Sequence, residues 1–65
     1  MAKTPNVRLR EWREYLGWTQ ADVGSRLRVD DSVVSRIEAG LRPSARLAAE
    51  IERVTNGRIA KEEWK

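Results

Sequence analysis

Neither cysteine nor histidine occurs anywhere in the 65 residues. That double absence removes disulfides, thiol chemistry, the usual zinc sites and catalysis through imidazole. A chain this short buries only about 60% of the surface it exposes when unfolded, so its stability is on the order of a few kcal/mol. With no covalent or metal staple, two routes to a stable fold remain: close helix packing, or association with a second copy. Hydrophobic residues make up 40% of the chain and charged residues 35%. The first figure is too high for a disordered tail and the second too high for a membrane span. No uncharged stretch approaches the roughly 20 apolar residues that a membrane helix requires. Met1 to Pro5 lacks the apolar core of a signal peptide. The expectation is one domain over 1–65, located in the cytoplasm, with no membrane partner.

The apolar residues recur with a helical period that is broken at intervals. Leu9, Trp12 and Leu16 stand at i, i+3 and i+7, with Asn6 as the N-cap and Gly17 as the stop, predicting a first helix over about 7–16. Thr19 and Asp22 form a capping box for a second helix over about 20–27, whose inner face carries Val23 and Leu27. Arg28, Val29 and Asp30 interrupt it. Asp30 is read as the cap of a third helix, about 31–39, and Asp31 adds negative charge near its N-terminus. Val34, Ile37 and Leu41 fall on one side of that helix. Ser44 caps a fourth, on which Leu47, Ile51 and Val54 repeat, until Asn56-Gly57 ends it. The tail from Arg58 reads equally as a short strand or as a last helical turn over 60–64. The fold class is therefore all-α, with four to five short helices.

Two helices of about two turns each, separated by three residues, make a helix-turn-helix unit over about 20–39, whose second helix enters the major groove of DNA. Its outward side would carry Ser32, Arg36 and Ala39. Arg36 is long enough to make two hydrogen bonds to a guanine edge. Ser32 can donate or accept. Val33 is read either as a thymine-methyl contact or as the flank of the core. Asp31 is read either as an acceptor from cytosine N4 or as a charge stabilising the helix dipole. Asp31, Ser32, Val33 and Arg36 form the base-readout set.

Several residues at fixed spacing carry a resemblance to the lambda-repressor/Cro-like DNA-binding domains. They include Trp12-Arg13, Leu16-Gly17, Trp18-Thr19-Gln20, Val23, Leu27, Val34-Ser35-Arg36-Ile37-Glu38, Gly40 and Pro43. The most specific runs are Thr19 to Val23 and Val34 to Gly40. The resemblance implies a lambda-repressor-like fold and a small phage Cro-type repressor that binds a palindromic operator on double-stranded DNA as a homodimer. It further implies that Gln20 meets a phosphate or supports the recognition helix, and that Arg13 and Glu38 form a structural ion pair. It puts Trp12 and Trp18 in the core. Thr19, Gln20, Arg42 and Arg46 make up the expected contacts to the DNA backbone, while Arg8 and Arg10 are read as a charged face. Residues 56–65 are a candidate dimer contact, with Trp64 either covering the core or meeting a partner. The sequence departs from that family twice, at Arg28, where the turn commonly holds glycine, and at Gly24, where alanine is common.

A net charge of +3 is only modestly basic, and weak non-specific affinity for DNA follows. An antitoxin or other protein-binding regulator on the same fold is the competing function, favoured by Asp30-Asp31 and by Trp64. An enzyme is not expected. The acidic pairs Asp30-Asp31 and Glu62-Glu63 are adjacent in sequence, and a domain this small has little volume for a pocket. No cofactor, metal or small-molecule ligand is expected.

Overall fold

Thr4 rather than Asn6 starts the first helix. Its hydroxyl accepts from the Val7 N–H at 3.4 Å, and Pro5 occupies the first helical position, where a missing N–H costs nothing. Helix α1 therefore spans Pro5–Tyr15, two residues ahead of the expected start. Asn6 reaches across the molecule instead. The computed structural model describes residues 3–64. Among these it has four α-helices and a single 3₁₀ turn, without strands: α1, α2 (Gln20–Leu27), α3 (Asp31–Glu38), α4 (Ala45–Val54) and η1 (Lys61–Glu63). The all-α expectation holds. Of the two readings of the tail, the helical turn is the one observed. None of these helices is long and apolar enough to cross a membrane.

Thr19 and Asp22 cap α2 reciprocally, the Thr19 hydroxyl accepting from Asp22 N at 3.1 Å and the Asp22 carboxylate from Thr19 N at 2.8 Å. The Thr19 N–H holds the Asp22 carboxyl below its ordinary range. Arg28 ends α2 in the left-handed region, at φ 60° and ψ 41°. Val29 N then returns to Gly24 O at 2.8 Å, closing the turn. Asp30 occupies the N-cap position of α3 but makes no side-chain cap hydrogen bond. Its carboxylate accepts from the Ser32 hydroxyl at 2.7 Å, which lowers its pKa. Ser44 does cap α4, accepting from Leu47 N at 3.2 Å.

The core gathers Leu9, Val23, Leu27, Val34, Ile37, Ala48, Ile51, Ile59 and Trp64. Helix α3 packs between α1 and α2, α4 packs on α2, and η1 closes over α4. Two apolar residues expected inside are not. Leu16 is 41% exposed, because α1 stops at Tyr15 before that side can turn inward, and Leu41 is 51% exposed, because it lies beyond the end of α3. Trp12 and Trp18 are half-buried at the core's edge, edge-to-face with centroids 5.3 Å apart.

Ile59 and Trp64 are both buried in this chain's own core. The Trp64 ring covers the core and leaves little of itself for a partner. Arg8, read as surface charge, donates to Glu63 and to the Arg58 carbonyl, strapping the tail to α1. Thr55 is buried too, donating to Ile51 O at 2.7 Å and accepting from Ile59 N at 3.3 Å.

Candidate nucleic-acid interface

The period of α3 sorts its residues cleanly. Val34 and Ile37 are fully buried, while Asp31, Ser32, Ser35, Arg36 and Ala39 are exposed and make one stripe along the outer side. Val33 lies between the two sides, half-buried and packed against the core. Ser35, which is not in the base-readout set expected from the sequence, belongs to the outer stripe. Its position three residues after Ser32 is the signal that would have found it.

Arg36 is exposed and forms no ion pair among the described residues, so its guanidinium keeps its donors for another molecule. Asp31 is likewise exposed and unpaired, at the head of α3, where it complements the helix dipole. The Ser32 hydroxyl donates to Asp30, which leaves it free to accept.

The stripe is held at a fixed angle by a polar tie. Arg13 Nε and Nη2 meet the two Glu38 oxygens at 2.7 and 3.0 Å, and Arg13 Nη1 donates to Trp18 O at 2.9 Å. The two side chains are only 14% and 5% exposed. Glu38 raises the Arg13 pKa through these hydrogen bonds. Gln20 Nε2 donates to the same carboxylate at 3.2 Å. One carboxylate thus joins the end of α1, the start of α2 and the end of α3. A second tie comes from Asn6, whose amide donates to Ile37 O at 2.6 Å and to Leu41 O at 3.3 Å. Ile37 O lies in the last turn of α3, where it also accepts from Gly40 N at 3.1 Å, and Leu41 O lies in the loop that follows, so Asn6 fastens the end of α3 and its exit to α1. No local signal in the sequence points to that role of Asn6.

Thr19 is exposed beside the N-terminus of α2, where the N–H groups of Gln20 and Ala21 have no partner within the helix. Arg42 and Arg46 are exposed on either side of the buried Pro43 and the capping Ser44. Arg46 also lines a groove between α4 and the end of α2. The four cations of α1 and the residues just before it, Lys3, Arg8, Arg10 and Arg13, are all in ion pairs. Arg26, Arg28, Arg36, Arg42, Arg46, Arg58 and Lys61 form none among the described residues. The uncommitted positive charge among the described residues therefore lies on the two central helices and the turn between them, the loop after them, the start of α4 and the tail.

An N-terminal helix end at α2, an outward stripe on α3 and a three-residue turn between them define a helix-turn-helix DNA-binding module. The family described as helix-turn-helix domain matches residues 7–57, and the chain belongs to it. No curated protein and no solved structure matches the chain.

Proposed function

We propose that the protein is a sequence-specific repressor of the Cro type: α3 lies in the major groove and two copies occupy a palindromic operator. The observation that carries this reading is the outer stripe of α3, where an unpaired Arg36 stands on a helix anchored by Arg13, Gln20 and Glu38. Arg36 takes a guanine edge. Asp31 and Ser32 read neighbouring bases, with Val33 at the margin. Thr19, Gln20, Arg42 and Arg46 meet the sugar-phosphate backbone, aided by the free N–H groups at the head of α2. A single module reads one half-site, so a homodimer reads two, about one helical turn apart. A small protein bound across a promoter in the cytoplasm represses by occupancy alone.

Selection from randomised duplex DNA tests the reading, with titration of the winning site. The expected product is an inverted repeat bound far more tightly than random sequence. Arg36→Ala then costs about 1–3 kcal/mol and relaxes one base position, whereas Arg42→Ala weakens all sequences about equally. An Arg36→Ala protein that binds the site as wild type does removes Arg36 from the readout set.

A second reading, an antitoxin or other regulator whose main partner is a protein, draws support from Asp30 and Asp31, two exposed carboxylates at the head of the reading helix. A folded sample that enriches no DNA motif would favour it.

A further inference from the structure

Arg26 and Arg28, at the end of α2, share a groove of about 290 Å³ with Arg46 and Arg53 of α4, and Leu27 and Leu47 form part of its wall. Glu50 is the single acid there, and it is committed to Arg53 at 2.7 Å. Four arginines and one glutamate line the groove, a balance of +3 along its wall, equal to the net charge of the whole chain. The groove lies at the C-terminal end of α2, whereas the proposed DNA surface uses its N-terminal end. Eight residues of helix, about 12 Å, separate the two ends. Arg46 stands at the boundary of both surfaces.

Two independent observations distinguish this groove from an ordinary solvated face. The Arg26 guanidinium lies over the Trp18 ring, 4.2 Å from its centroid, so it is held in place before any partner arrives. Arg28 occupies a left-handed conformation that glycine would adopt without strain. That conformation is the C-cap of α2, and it fixes where the Arg28 side chain leaves the helix at the groove wall. A helix C-terminus does attract a cation, but the dipole of α2 requires neither four arginines nor a strained one.

We propose that this groove docks an acidic segment of a protein partner, one in which carboxylates flank an apolar side chain. The charge sets the sign of the partner, and the half-buried Val29 and Leu47 on the groove wall give its apolar side chain a surface that a phosphate would not use. Arg46 is shared with the proposed DNA contacts, but Arg26, Arg28 and Arg53 are not, so the groove can be tested apart from the DNA reading.

The test titrates a short synthetic peptide of glutamates interrupted by two leucines into the full chain at low salt, following the Trp18 indole and the Leu27 and Leu47 methyl resonances. Saturable shifts at those groups are expected. Arg28→Gly and Arg26→Gln should each weaken binding roughly threefold or more, while leaving affinity for random duplex DNA unchanged. Absence of saturable binding overturns the proposal, as do shifts confined to α3 or binding indifferent to both substitutions. A parallel loss of duplex affinity in both variants would make the groove a phosphate-contact surface and would overturn it as well.

Discussion

At φ 60°, the Arg28 backbone carries a Cβ where the left-handed region leaves little room for one. Replacing it by glycine removes that strain, offset in part by the greater freedom of glycine in the unfolded chain. Arg28→Gly should therefore raise stability by up to ~1 kcal/mol, read as a higher midpoint in urea at unchanged slope. Gly24, four residues earlier, behaves in the opposite way. Alanine has the better helix propensity, by about 1 kcal/mol, yet a Cβ at Gly24 would sit 2.6 Å from the Val29 carbonyl oxygen. That oxygen belongs to the backbone of the turn and cannot swing aside like a flexible side chain. Gly24→Ala should destabilise by about 1–3 kcal/mol despite its propensity, and an unchanged melting temperature would show that the turn yields easily.

Single residues do not set the angle between helices; the tie through Glu38 does. Arg13 and Gln20 both donate to its carboxylate, and all three side chains come from different helices. Removing one partner leaves a nearly buried charge. Arg13→Met should cost about 3 kcal/mol, and the double change Arg13→Met, Glu38→Leu should recover much of it, because an apolar pair can replace a buried ion pair with little loss. Equilibrium unfolding of the two singles and the double measures the coupling. Additive losses would mean that the pair contributes no coupling of its own.

The whole molecule is closed by its tail. Radius of gyration is 10.4 Å, and in a core this small one aromatic ring is a large share. Trp64 is 6% exposed, and its Nε1 is buried with no hydrogen-bond partner among the described residues. Its contribution is therefore apolar. Trp64→Ala should cost about 3–5 kcal/mol, close to the entire stability of a domain of this size. Trp64→Phe keeps most of the ring and removes the unpaired donor, so it should remain folded by circular dichroism when the alanine variant is largely unfolded. Equal losses in both would point to an unseen role for the indole N–H.

Helix order and approximate bounds, the caps at Thr19 and Ser44, the stops at Gly17 and Asn56-Gly57, and the inner and outer sides of α3 were legible in the sequence. Each depends on residues within a turn or two of one another, and the helical period fixes their relative directions before any tertiary contact forms. The outer stripe that bears Asp31, Ser32 and Arg36 follows from that period, and the pairing of Arg13 with Glu38 followed from resemblance. Other features depended on contacts between distant segments. Asn6 bonds to Ile37 across 31 positions and Arg8 to Glu63 across 55. Ile59 and Trp64 entered the core, and Arg26, Arg28, Arg46 and Arg53 converged on one groove, only once α4 had packed on α2. Local sequence sets which side of a helix is apolar. Which distant residues meet is decided by how those sides pack together, since burial rewards apolar contact without specifying its partner.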